Sequence, residues 1–260
     1  MLEIGGVYIN FIFDLDGTVL CGNSDVIDPE LKNILYQLSK EHDLYFATGR
    51  DKLGVMNFLT CNPDWYKIFS EKFVYLDGGV TVLGREEISE SAMIIPQIPK
   101  GFEFVLFYSE CVVFSNKTAF YKYKMLFPNI DLSKFPEYYD ISPREFDSKG
   151  ILKIFLFPKD KEDYNVLKEY VLKYKDYTVK FYKPFRMIVI NGGADKYYGI
   201  RKIIGVDDYF AFGDGLNDEL LLLNSVYSVN LGSENNLDTI SNKTIIFLKD
   251  FKKELKKWIK

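Results

Sequence analysis

Histidine is nearly absent, with one residue, His42, in a chain of 260. A single imidazole excludes a histidine-rich metal cluster and leaves acid and base chemistry to carboxylates. His42 stands in a Lys-Glu-His-Asp run and is expected at the surface. Cysteine is scarce too. Cys21, Cys61 and Cys111 are widely spaced with no CxxC pair, which argues against a disulfide framework or a thiolate zinc site and makes buried free thiols the expectation. Neither sign of charge dominates. Lys and Arg number 33 against 37 Asp and Glu, a net charge of -4, so no nucleic-acid or membrane partner is expected. No apolar run approaches the ~20 residues that span a bilayer. The start, MLEIGGVYINFIFD, lacks the basic segment and small-residue cleavage site of a secretory signal, so the cytoplasm is the expected compartment. What is there is enough apolar sequence to bury a core: 47% hydrophobic against 27% charged residues, which excludes a disordered chain. The length suits two modest domains, as a monomer or small homo-oligomer.

Short, nearly continuous apolar runs alternate with helical patterns, the sequence habit of a parallel sheet covered on both faces. The fold class is α/β. Residues 7–13 read as a first buried strand. Asp28 and Pro29 then open a helix with Leu31, Ile34, Leu35 and Leu38 at helical spacing. Further strands are expected at 44–47, 209–212, 226–229 and 244–248, with a helix after Arg50. The middle brings its own strands, at 102–107, 112–114, 151–157, 178–181 and 185–190, and helices near 119–126 and 162–174. It reads as an inserted α/β domain. The Ile-Ile-Pro-Gln-Ile-Pro-Lys-Gly stretch at 94–101 punctuates its start and Asn191-Gly192-Gly193 its return. At the C-terminus Phe251, Leu255 and Trp258 share a helical face, which predicts a docked terminal helix with solvated lysines rather than a membrane-surface helix.

Three polar clusters begin where apolar strands stop: Asp14-Leu15-Asp16-Gly17-Thr18, Thr48-Gly49-Arg50, and Gly213-Asp214-Gly215-Leu216-Asn217-Asp218. Each alone is ordinary turn or capping chemistry. Open α/β sheets, however, put their sites outside the carboxyl ends of the strands, so these segments should converge. Crowded aspartates repel unless a cation neutralises them. Magnesium suits oxygen donors in an octahedron, with Asp14 and Asp214 as direct ligands, the Asp16 backbone carbonyl as a third, and Asn217 and Asp218 in support. Thr48 and the Gly49 amide can donate to an anion held beside the metal, and phosphate is the expected anion.

These residues resemble the haloacid dehalogenase superfamily of phosphohydrolases, whose motifs run DxDGT, a Thr or Ser at the end of the next strand, a lysine, and GDGxND. Lys196 sits where the lysine is expected, so all four occur in order at the two ends of the chain. The span from Thr18 to Pro29 is too short for a cap domain, whereas Arg50 to Lys196 is ample. That placement is similar to the Cof-type branch, subfamily IIB, with its Rossmann-like core and α/β cap between the second and third motifs, a group that includes sugar phosphatases, phosphoglycolate phosphatase and phosphomannomutase. It implies a core of residues 1–82 and 192–260 and a cap of 83–191. Relatives often carry Asn-Gly-Ala after the third core strand, where this chain has Asp77-Gly78-Gly79.

The resemblance implies a magnesium-dependent phosphatase of small phosphorylated metabolites, sugar phosphates or phosphoglycolate-like monoesters. Asp14 would attack phosphorus to give an aspartyl-phosphate, and Asp16 would protonate the leaving alkoxide and then deprotonate water. Thr48 and Lys196 complete the catalytic set. Thr48, Gly49, Lys196, Asn217 and Arg186 are the expected substrate-binding residues; Lys122, Lys124, Arg144 and Lys183 are further cap cations, and Arg50 can order the loop or pair with a nearby carboxylate. A phosphomutase would need a second phosphate site in the cap. A receiver-type signalling module also gathers aspartates, a Thr and a Lys, but lacks both a cap and an acid two residues after the nucleophile. A silent binding protein is disfavoured by the intact motifs.

Overall fold

A computed structural model describes residues 8–22, 24–90, 93, 102–128, 130, 139–140, 150–158, 161–172, 177–182, 186–232 and 236–259. In chain order the strands are β1 (Asn10–Phe13), β2 (Asp43–Phe46), β3 (Lys72–Tyr75), β4 (Val80–Leu83), β5 (Glu86–Ser89), β6 (Glu103–Phe107), β7 (Val112–Phe114), β8 (Tyr139–Asp140), β9 (Lys153–Phe157), β10 (Thr178–Tyr182), β11 (Met187–Asn191), β12 (Tyr209–Gly213), β13 (Tyr227–Asn230) and β14 (Lys243–Thr244). The helices are α1 (Pro29–Leu38), α2 (Lys52–Cys61), α3 (Lys117–Leu126), α4 (Lys161–Val171), α5 (Lys196–Ile204), α6 (Glu219–Leu223) and α7 (Leu248–Leu255).

The main sheet is parallel, in the order β14-β13-β12-β1-β2. It continues beyond β2, because Ala47 bridges Val74 and the Thr48 amide donates to Val74 O at 2.9 Å, which brings the β3-β4-β5 meander alongside. Side chains alternate across the sheet as a strand requires. Phe11, Phe13, Phe210 and Phe212 enter one apolar cluster with α1, α2 and α7, while Ile12, Tyr209 and Ala211 enter another with α5 and α6. Asp28 caps α1 by accepting from Leu31 N at 2.9 Å, with Pro29 at the first helical position, as expected of that pair. The α7 helix docks: Phe251 and Leu255 are fully buried, and the Trp258 ring lies 4.8 Å from Phe210.

The second sheet, in the order β10-β11-β9-β6-β7-β8, is mixed and mainly antiparallel. One face carries Phe107, Phe155 and Met187 into the cluster shared with the main sheet. The other packs Leu106, Ile154 and Ile188 under α4. Polar ties join the two sheets. The Tyr123 hydroxyl donates to Asp51 at 2.5 Å, and Lys180 faces Asp195 at 3.9 Å.

Some sequence expectations need correction. All three cysteines are free, but Cys21 and Cys61 are exposed and Cys111 half-buried; the first lies in a loop and the second ends α2, so neither faces the core. His42 is half-buried rather than superficial, its ring 5.0 Å from Phe11 and its Nδ1 accepting from Ile9 N. The expected strand at 244–248 shrinks to the two-residue β14, because α7 already starts at Leu248 and edge strands are kept short. Val7, the 94–101 stretch, Arg144, Lys183, Phe185 and the end of the 162–174 helix lie outside the described residues.

Candidate active site

The first cluster follows β1 directly. Asp14 still keeps the sheet's register, its amide donating to Phe212 O at 2.8 Å. The chain then folds tightly, with Leu15 O accepting from the amides of Val19 at 3.0 Å and Leu20 at 2.7 Å. Gly17 has φ +79°, and a Cβ there would lie 2.1 Å from Asp214 Oδ2. Only glycine permits both the turn and that approach.

Beneath this turn is a buried charge cluster. Lys196, at the start of α5, is fully buried and donates to Asp14 Oδ1 at 2.6 Å and Asp218 Oδ1 at 2.8 Å. The second Asp218 oxygen accepts from the amides of Asp214 at 3.1 Å and Gly215 at 3.0 Å. Asp218 therefore braces both Lys196 and the loop that carries Asp214. Asp14, Asp214 and Asp218 each offer an oxygen within 4.8 Å of the others.

Electrostatics agree with that crowding. Burial, then the carboxylates of Asp218, Asp214 and Asp16, push Asp14 well above the usual carboxylate range against the pull of Lys196. Burial and the nearby Asp218 push Asp214 up to about 7. Burial disfavours the Lys196 ammonium, but Asp14, Asp218 and Asp77 overcome it and keep the group charged well beyond the ordinary lysine range. Carboxylate oxygens gathered within 4.8 Å of one another form a donor set suited to a hard cation.

The second cluster lies beside the first. Thr48 is fully buried and its Oγ accepts from the Arg50 amide at 3.2 Å, leaving the hydroxyl proton to be given elsewhere. Arg50 grips Asp16 through two nitrogens and reaches Asp25 at 2.6 Å with a third. The carboxylate pairing expected of Arg50 is thus realised twice.

A cleft of about 460 Å³ opens over these groups. Asp14, Asp16, Gly49, Arg50, Asp214 and Asn217 line one side, and Phe127, Phe155, Tyr182, Met187 and Val189 of the second sheet and its flanks line the other. Thr48, Lys196 and Asp218 sit just below this lining, wholly buried. Arg186 is not brought here. It is exposed, at φ +44° in the approach to β11, and does not line the cleft. Lys122 is paired with Glu103 at 2.5 Å, and Lys124 is exposed.

Two residues without an assigned role in the sequence do line it. Lys153 opens β9 and donates to Asp77 Oδ2 at 2.5 Å and Gly49 O at 2.9 Å. Asp77 also accepts from Asn217 Nδ2 at 2.8 Å. Burial would raise the Asp77 carboxyl, but Lys153, Lys180 and Lys196 hold it well below the ordinary range. The available signal was a lone charge at the head of an apolar strand.

The family model of the haloacid dehalogenase-like hydrolases matches residues 11–248. Among curated proteins, the chain is 24% identical over 224 residues to "Putative phosphatase YkrA" of Bacillus subtilis, covering 79% of each chain. Among solved structures it is similar to the HAD subclass IIB sugar phosphatase BT4131, with a TM-score of 0.71, 19% identity and coverage of 96% of this chain and 98% of that one. It is likewise similar to TM0651 from Thermotoga maritima, with a TM-score of 0.69, 22% identity and coverage of 92% of each. At such identities the structural likeness establishes the fold.

Proposed function

The chain belongs to the haloacid dehalogenase-like hydrolases, and from that premise we propose that it is a magnesium-dependent phosphatase of small phosphorylated metabolites acting through an aspartyl-phosphate at Asp14. The observation that carries the reading is the buried contact of Lys196 with Asp14 and Asp218, with Asp214 in ligand range and Asp16 lining the cleft. We assign residues 1–82 and 192–260 to the catalytic core, extend the core through β5 (Glu86–Ser89) because that strand pairs with β4 in the meander beside the main sheet, and give the rest of 83–191 to the cap. Exposed free thiols suit a reducing compartment, and we place the reaction in the cytoplasm. Among the described residues no helix is long and apolar enough to cross a membrane.

Asp14 and Asp214, supported by Asp218 and Asn217, would hold the ion, which when bound neutralises phosphoryl charge. Lys196 fixes one Asp14 oxygen and leaves the other to meet phosphorus in line with the ester oxygen. As the bond from Asp14 to phosphorus forms and the ester bond breaks, Asp16, protonated once it has turned out of the Arg50 fork that holds both its oxygens in this structure, gives its proton to the departing alkoxide. Asp16 then takes a proton from the water that attacks the aspartyl-phosphate, which releases phosphate and restores Asp14. Thr48 and the Gly49 amide donate to the phosphoryl oxygens. Sugar phosphates and phosphoglycolate-like monoesters are the proposed substrates, a size the cleft accommodates.

Purified Asp14→Asn should fold yet hydrolyse p-nitrophenyl phosphate with magnesium at least ~10³-fold more slowly. Turnover near wild type, or full wild-type turnover in excess EDTA, would end the reading.

A further inference from the structure

Neither Lys153 nor Asp77 has a part in the chemistry so far. Both are nonetheless costly to keep. The Lys153 side chain is 5% exposed and the Asp77 side chain 4%, and buried charges survive only when paired. Asp77 also sits at φ 54°, ψ 36°, next to Leu76 at φ 53°. Consecutive left-handed non-glycine residues are strained, and such strain persists where the surroundings enforce it.

What enforces it is a junction of four segments. The bend at Leu76 and Asp77 is stitched to the loop after β2 by Leu76 N to Arg50 O at 2.8 Å and Asp77 N to Thr48 O at 3.0 Å. One Asp77 oxygen takes the ammonium of Lys153 from β9, and the other takes the amide of Asn217. Lys153 also holds the Gly49 carbonyl. There is no slack: a Cβ on Gly49 would lie 2.8 Å from Asp77 Oδ1 and 3.2 Å from Asn217 Nδ2.

We propose that Lys153 and Asp77 are paired positioning residues that seat the second sheet on the main sheet and, through the two oxygens of Asp77, set Asn217 and the Gly49 peptide beside Asp14. A carboxylate is required because it accepts on both oxygens. An amide at position 77 would lose the charge that pairs with the buried Lys153 ammonium and, keeping its oxygen there, would turn its NH₂ toward Asn217, whose amide would have to flip to accept. The kinetic consequence rests on the phosphatase reading; the structural one does not.

The test compares wild type, Asp77→Asn, Lys153→Met and the double variant, using p-nitrophenyl phosphate with magnesium. Each single variant is expected to lower kcat by about tenfold with KM changed less than about threefold, since small misplacements of binding groups act on turnover. The double should lose clearly less than the product of the two single losses, because the Lys153–Asp77 contact is shared while each residue keeps one contact of its own, to Gly49 and to Asn217. Losses that multiply, or kcat unchanged in folded protein, overturn the proposal. So does a KM rise that varies with the leaving group, which would make Lys153 a substrate contact. A second measurement needs no turnover: amide hydrogen exchange in peptides covering 46–51 and 213–219 should quicken in both single variants. Unchanged exchange there refutes the junction even if the wild type proves inactive, and an inactive wild type with quickened exchange counts against the phosphatase reading alone. Should Lys153→Met fail to fold, Asp77→Asn, which keeps volume and shape, decides both measurements.

Discussion

Arg50 holds both oxygens of Asp16, Nε donating to Oδ2 at 2.8 Å and Nη2 to Oδ1 at 2.6 Å. Only a planar guanidinium makes that fork. With Asp25 on its remaining nitrogen, Arg50 ties the turn after β1 to the loop after β2. Arg50→Lys keeps the charge and loses the fork, so kcat for p-nitrophenyl phosphate is expected to fall by about tenfold or more, with a lower melting temperature because one ammonium cannot serve both Asp16 and the buried Asp25. Steady-state kinetics beside a thermal melt checks this.

Magnesium should stabilise the folded chain. A ligand bound only by the native state adds about 2.7 kcal/mol at a hundred times its dissociation constant, so millimolar magnesium is expected to raise the wild-type melting temperature. Asp214→Asn removes one of three clustered carboxylates and should lose most of that rise. Differential scanning fluorimetry with and without the ion reads the difference.

Glu254 links α7 to the main sheet, accepting from Tyr227 Oη at 2.9 Å and Lys257 at 2.8 Å, and pairing with Lys243. Burial works to raise its pKa, but these donors overcome it and hold it below the usual value. A depressed folded-state pKa contributes stability that is complete above the unfolded value of about 4.3 and lost as pH falls through the folded one. Glu254→Gln should therefore melt a few degrees lower at pH 7 and converge with wild type toward pH 3. A gap that stays constant with pH would remove the carboxylate from the explanation.

Gly78 has φ +96°, and a Cβ there would stand 2.2 Å from the Asp195 carbonyl oxygen, a backbone atom that cannot turn aside. Gly78→Ala should cost stability by about 1–3 kcal/mol, seen as a lower denaturant midpoint.

Much of this arrangement could be read along the chain. Parallel strands bury both faces, so apolar runs such as Tyr209 to Phe212 announce themselves, and polar residues just past them fall at one edge of the sheet. Lys196 was legible only through the order of motifs, since composition alone makes a first-turn lysine a surface residue. Lys153 and Asp77 were not legible. They are 76 positions apart, one in the bend between β3 and β4 and the other at the head of β9, and nothing local in either segment encodes the docking that pairs them. Arg186 failed for the opposite reason: its strand returns to the core, but its left-handed backbone turns the residue outward.

The trio of Asp14, Asp214 and Asp218 around Lys196 also implies a valence preference. An ion that displaced the protons which crowding holds on Asp14 and Asp214 would meet three carboxylate groups facing one ammonium, two negative charges short of balance at the floor of the cleft. A singly charged alkali ion would leave one of them bare, whereas a doubly charged ion brings the sum to zero. With Asp16 and Asp25 sharing a single Arg50 nearby, the surroundings add no spare positive charge, and the balance favours a doubly charged ion over sodium or potassium, however abundant they are around the protein.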